Sequence, residues 1–92
     1  IDFKAEWCAA CKELEEKTFT TKEFKELAEN FDLYFVDATS LSEVSDLVER
    51  YNILGLPTVI FYDAKGKERS DLRVSGFEEI DRFSVRMKKA MN

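Results

Sequence analysis

The chain has 92 residues, no histidine and a net charge of −5, with 14 Lys and Arg against 19 Asp and Glu. That length suits one domain, the acidic balance without a Lys/Arg run argues against a nucleic-acid partner, and no apolar stretch approaches the ~18 residues of a membrane span. Two cysteines with no histidine exclude Ser-His and Cys-His catalysis and leave a tetrahedral zinc site, which needs about four ligands, without a second pair.

In chain order, IDFKA (1–5) is a short apolar run and predicts a strand. Because the chain opens directly on it, we expect an excerpt whose upstream residues are missing. CKELEEK has helix-forming composition, so a helix should begin near Cys8 and run to about Lys17. Thr20 with Glu23 fits a capping box, and Phe24, Leu27, Ala28 and Phe31 form one apolar stripe on a helix of about 22–30. LYFVD (33–37) is a continuous apolar run, the pattern of a strand covered on both faces.

Ser40 with Glu43 repeats the capping-box pattern. Leu41, Val44, Leu47, Val48 and Tyr51 then mark a second amphipathic helix, stopped at Asn52. TVIFY (58–62) predicts a strand, DAKG (63–66) a turn, and a strand near 71–75 completes a hairpin broken by Gly76. Ile80, Phe83, Met87 and Met91 define a last helix from about 78 to 90. Strand–helix–strand units imply parallel pairing with right-handed crossovers, and the hairpin must be antiparallel. The expected fold is α/β, a mixed central sheet with helices on both faces.

The chemistry is concentrated in EWCAAC (6–11), which holds both cysteines. Positions i and i+3 of a helix lie about 5–6 Å apart, and a disulfide needs Cα atoms roughly 4.4–6.8 Å apart. The pair can therefore hold two thiols or one bond with little backbone movement. Cys8 should sit at the helix start, where unpaired N–H groups and the helix dipole favour an anion. We assign Cys8 as the attacking thiol and Cys11, one turn deeper, as the resolving thiol. Ala9 and Ala10 add no cation, and the acids Glu6, Glu15 and Asp2 disfavour a thiolate. The expected pair is therefore a weak oxidant. An inert staple is the bland alternative, but so short a loop constrains the unfolded chain little.

DFKAEWCAACK, followed by GLPTVIFYDAKGK and VSGF, resembles the thioredoxin superfamily over essentially the whole chain, without that family's first strand and helix. Small apolar residues inside CxxC, the acidic helix after it and NILGLPT are most similar to an envelope branch of the superfamily. Its members form the periplasmic end of membrane proteins that carry reducing equivalents outward. The resemblance implies a thioredoxin fold and a protein-disulfide reductase in a redox relay, needing no cofactor and no metal. Partners would be cysteine-containing proteins, the domain a monomer without membrane contact of its own, tethered or free, and the compartment the periplasm, with the cytoplasm as the alternative. Rival readings are a free-standing thioredoxin-like reductase and a non-catalytic binding or chaperone module.

The resemblance also distributes roles. Trp7 packs beside the cysteines, Pro57 is a cis-proline against the dithiol, and Leu56 offers its backbone to an extended partner segment. Gly76 and Phe77 border the same groove, whose floor includes Ala9. Asp2 matches a buried acid beneath the dithiol that shuttles the Cys11 proton. The lysine that accompanies this acid in thioredoxin is replaced by Phe35, which implies an Asp2 without its cation. Glu15 shares a helix face with Cys11 and is either a second acid of the site or a solvated surface residue. Without the resemblance, Asp2 reads as an exposed strand end, and Trp7 and Phe77 as ordinary core aromatics.

Overall fold

The first strand, β1 (Asp2–Lys4), runs through the middle of the sheet. The computed structural model describes residues 1–92. β1 is followed by α1 (Ala9–Glu13), whose helix continues as a π-helical turn over Leu14–Thr18. Then come α2 (Lys22–Ala28), β2 (Phe35–Asp37), a 3₁₀ turn (Leu41–Val44) running into α3 (Ser45–Arg50), and β3 (Thr58–Val59). A second 3₁₀ turn (Ser70–Leu72), β4 (Val74–Ser75) and α4 (Ile80–Ala90) close the chain. The sheet order is β2-β1-β3-β4, with β1 parallel to β2 and antiparallel to β3, and β3 antiparallel to β4.

Side chains alternate across a strand, so the sheet separates two cores. Phe3 points to one face and packs with Ile53 and Ile60, under Leu47, Val48 and Tyr51 from α3 and its end. On the other face Val59, Phe61 and Val74 meet Leu14 of the π-helical turn and Phe83 and Met87 of α4, and α2 adds Phe24 and Leu27. Phe83 is the hub of that core, with ring centroids 5.6 Å from Phe19 and 5.7 Å from Phe61. The mixed sheet with helices on both faces is thus as expected, and so is the stripe of α4, except that Met91 is exposed.

Several local expectations need correction. LYFVD is not covered on both faces: β2 is an edge strand, and Leu33, Tyr34 and Phe35 are exposed. The unit β2–α3–β3 is not parallel, because β3 runs against β1 and hence against β2. Its chain returns through Asn52, which takes φ +54°, and a cis Leu56–Pro57 bond. The strand expected at 71–75 is shortened to Val74–Ser75 by the 3₁₀ turn before it. Ser40 makes no capping bond, and the helix after it starts as 3₁₀ with Leu41 exposed. The DAKG turn forms as expected: Asp63 Oδ1 accepts from the N–H groups of Lys65 and Lys67, and Gly66 takes φ +79°.

The cap of α2 is also displaced by one residue. Thr21 Oγ1, not Thr20, accepts from the N–H of Phe24 at 3.2 Å, while Thr20 Oγ1 donates to the Glu16 carbonyl. Replacing an N-cap threonine by alanine costs about 1 kcal/mol. Thr21→Ala should therefore lower the unfolding free energy read from a urea titration by that amount, and Thr20→Ala, at an exposed position, should leave it nearly unchanged.

Candidate active site

Cys8 is the N-cap of α1, in extended backbone at φ −96°, and its Sγ accepts from the N–H of Cys11 at 3.2 Å. That N–H is one of the first-turn donors a helix cannot satisfy by itself. The Cys8 N–H is held by the Ala5 carbonyl at 3.2 Å, which ties the helix start to the end of β1. Cys8 and Cys11 are joined by a disulfide with Cα atoms 5.3 Å apart, within the range that a bond tolerates. Both sulfurs are buried, Cys8 7% and Cys11 3% exposed as residues. They differ in surroundings: Cys8 lies between exposed Trp7 and Ala9, whereas Cys11 points inward towards the helix interior that continues with Leu14. Ala5 and Leu56 pack on the pair.

Pro57 is cis and buried, and the Gly76 N–H donates to its carbonyl at 3.1 Å. Gly76 takes φ +115°, with open space where a Cβ would stand. The requirement for glycine is therefore conformational rather than steric. Leu56 is thereby brought to the dithiol, and its backbone N–H and C=O take no part in the loop and turn hydrogen bonds of the chain.

Trp7 is 59% exposed and is not a core aromatic. Its indole Nε1 donates to the Thr39 carbonyl at 2.9 Å, and Thr39 Oγ1 accepts from the Glu6 N–H. Thr39 is in turn held by Asp37 Oδ1, which accepts from both its N–H and its hydroxyl. These bonds hold the Asp37 carboxyl below the usual range. Sequence reasoning missed Thr39 and Asp37. The only signal for them was a D-x-T pattern after a strand, typical of an Asx turn. Phe77 departs from expectation: its half-buried ring packs on the α4 core with Lys17 Nζ 5.8 Å from its centroid, and it is not among the residues packed on the cysteines.

Asp2 is buried at 6% exposure, and its Oδ1 has no hydrogen-bond partner. Burial pushes its carboxyl up to about 6, against a smaller lowering effect of Lys4. The expectation of an acid without a cation is corrected here. Lys4, two residues on along the same face of β1, supplies the charge and pairs with Glu15. Glu15 lies one helical turn beyond Cys11, so it is neither free nor remote from the pair. A cleft of about 580 Å³ opens between the β2 edge, Phe24 and Met87, with Asp2 and Phe35 among its lining residues. Neither cysteine lines it.

A CxxC disulfide capping a helix, beside a cis-proline on a mixed sheet, defines the class, and a thioredoxin-like domain model matches residues 1–91. The chain belongs to that family. Among individual relatives it is similar to the thiol:disulfide interchange protein DsbD of Actinobacillus pleuropneumoniae, at 42% identity over 90% of this chain and 14% of the relative. It is also similar to DsbD of Haemophilus influenzae strain PittGG, at 39% identity over 99% of this chain and 16% of the relative. It therefore spans about a sixth of those proteins. Among solved structures, the oxidised C-terminal domain of Neisseria meningitidis DsbD superposes with TM-score 0.84 at 25% identity, over 98% of this chain and 77% of that one. A Thermus thermophilus thioredoxin, at 23% identity over 96% of this chain and 68% of that one, superposes with TM-score 0.79, a likeness of fold.

Proposed function

We propose that this domain reduces disulfides of partner proteins by dithiol–disulfide exchange, as one station of an envelope electron relay. The observation that carries the reading is the Cys8 sulfur at the helix start, on an otherwise unpaired N–H, one bond away from Cys11. In the reduced domain, the Cys8 thiolate attacks one sulfur of the partner disulfide, and the other partner sulfur leaves as a thiolate and takes a proton. Cys11 then gives up its proton, and its thiolate attacks Cys8 Sγ. The mixed disulfide breaks, and the second partner sulfur leaves and is protonated. The partner gains two electrons and two protons, and Cys8 and Cys11 lose the same.

Each remaining site residue has a place in this scheme. Leu56 presents free backbone groups to an extended segment of the partner, as in strand addition. Pro57 and Gly76 fix that loop, and Trp7 and Ala9 flank the attacking sulfur. Phe77 shapes the edge of the groove from the core side. Asp2 takes the Cys11 proton, and Glu15 sits at the site's charged margin. The direction follows from charge. No cation stands inside the motif, and the acids Asp2, Glu6 and Glu15 lie within seven residues of Cys8 along the chain. The reduced form is therefore not specially stabilised, and the pair tends to give its electrons away. The similarity to DsbD supports thiol–disulfide exchange with a cysteine-bearing relay partner; a periplasmic setting, a monomeric state and a tether to a membrane protein are further parts of this reading. No helix of this chain is long and apolar enough to cross a membrane itself.

The test is insulin reduction with dithiothreitol as electron source. Catalysed precipitation well ahead of dithiothreitol alone is expected. A rate equal to that background would overturn the enzyme reading in favour of a binding module.

A further inference from the structure

Lys4 was not singled out by any motif, yet three groups converge on it. Its Nζ is hydrogen-bonded to Glu15 Oε1 on the helix that carries Cys11. The same ammonium lies 5.3 Å from the centroid of the Phe35 ring, which stands opposite Asp2 in the register of β1 and β2. Asp2 shares its strand face, two residues away, at a Cα spacing of about 7 Å. Lys4 is the side-chain cation that acts on Asp2. The charged groups that act on Lys4 are Glu15, Asp2 and, across the β1–β2 pair, Asp37.

We propose that Lys4 is a positioning residue of the exchange reaction: it holds Glu15 in an ion pair and faces Asp2 with its charge, and so decides at what pH Asp2 can accept the Cys11 proton. The geometry separates the two acids. Glu15 is engaged and half-exposed, whereas Asp2 is buried with an unpartnered oxygen. Lys4 opposes the burial of Asp2, and Glu15 reinforces it. Removing either side chain must therefore move Asp2 in opposite directions. Loss of Lys4 withdraws a favourable charge and leaves Glu15 uncompensated, so Asp2 keeps its proton to higher pH. Loss of the Glu15 charge leaves Lys4 to act on Asp2 alone, so Asp2 releases its proton at lower pH. The Phe35 ring gives the ammonium a second, uncharged seat, which keeps it over the strand when Glu15 is changed.

The role rests on the exchange reading above, but its first measurement does not. Titrating the Asp2 carboxyl carbon by NMR in the oxidised domain needs no turnover. Lys4→Met should raise the midpoint by about half to one pH unit, Glu15→Gln should lower it, and Lys4→Arg should restore it. The insulin-reduction pH profile of each variant should shift in the same sense as its Asp2 midpoint. An unmoved midpoint in Lys4→Met, or a move of the same sign in Lys4→Met and Glu15→Gln, overturns the proposal, since general loosening has one sign. A shifted midpoint with an unshifted rate profile also overturns it, by showing that Lys4 reaches Asp2 but not the reaction. Absence of insulin reduction in the unaltered domain is a different failure, that of the enzyme reading.

Discussion

Cys8→Ser should reduce insulin no faster than dithiothreitol does alone, while Cys11→Ser should accumulate as a covalent adduct with its partner. The two outcomes differ because the sulfurs occupy different places on one helix. Cys8 precedes the first turn, accepts an N–H bond there, and has exposed neighbours on both sides. A serine hydroxyl would take the same hydrogen bond but is far too weakly acidic to attack a disulfide. Cys11 is buried a turn further in and reaches a partner only through Cys8. Without it the first attack proceeds and the release step has no nucleophile. The adduct should appear on a non-reducing gel and as a mass increase equal to the partner, and reductant should reverse it. An adduct on Cys8→Ser instead would reverse the assignment of the two thiols. Equal, undiminished rates in both variants would sink the exchange mechanism altogether.

The dithiol, its helix and the hairpin turn were legible because each is a local matter. A CxxC spacing, a helical stripe such as Phe83 and Met87, and an Asp63–Gly66 turn are decided by residues within a few positions of one another. What was not legible depended on where the chain goes. The apolar composition of LYFVD is the same for a central strand and for an edge, and only the order β2-β1-β3-β4 exposes Leu33, Tyr34 and Phe35. The direction of β3 is set by the path through Asn52 and Pro57, which periodicity does not encode. Thr20 and Thr21 are chemically equivalent as caps, and the cap falls at Thr21 because the π-helical turn carries the preceding helix through Thr18. Nothing local marks that turn. Thr18 is fully buried, with its hydroxyl bonded to the Glu78 carbonyl sixty residues away. The acceptor for Trp7 is a backbone carbonyl, which every residue owns. Lys4 was missed for a related reason: its partners are on a helix and a neighbouring strand, and an absent lysine at Phe35 suggested that no cation was present.

Asp2→Asn should stabilise the oxidised domain near neutral pH relative to the parent, by an amount that vanishes in acid. The sign follows from the raised midpoint. Asp2 titrates at about 6 when folded and at 3.8 as the ordinary reference, so the folded state binds the proton more tightly. Below pH 4 both states are protonated and the residue has no pH-dependent effect. Between pH 4 and 6 the unfolded chain ionises first, and stability falls as pH rises. Above 6 both are ionised and the loss is complete, on the order of 2–3 kcal/mol. An amide cannot ionise, so the variant lacks this decline. The difference between variant and parent urea midpoints should thus grow from pH 4.5 to 7.5 and then level off. A constant offset from the new NH₂ group would not disguise that slope, whereas parallel curves would show that Asp2 is ordinary. The same burial makes Asp2 useful. At pH 7 its carboxylate is mostly ionised and poorly solvated, with Oδ1 unpartnered, so it gains more by taking a proton than a surface acid does. Asp2→Asn should therefore slow release of the partner while leaving its capture by Cys8 unaffected, and the mixed disulfide should become detectable without any change at Cys11. A more stable protein that turns over more slowly is the combined signature, because one buried charge opposes folding and serves the proton transfer.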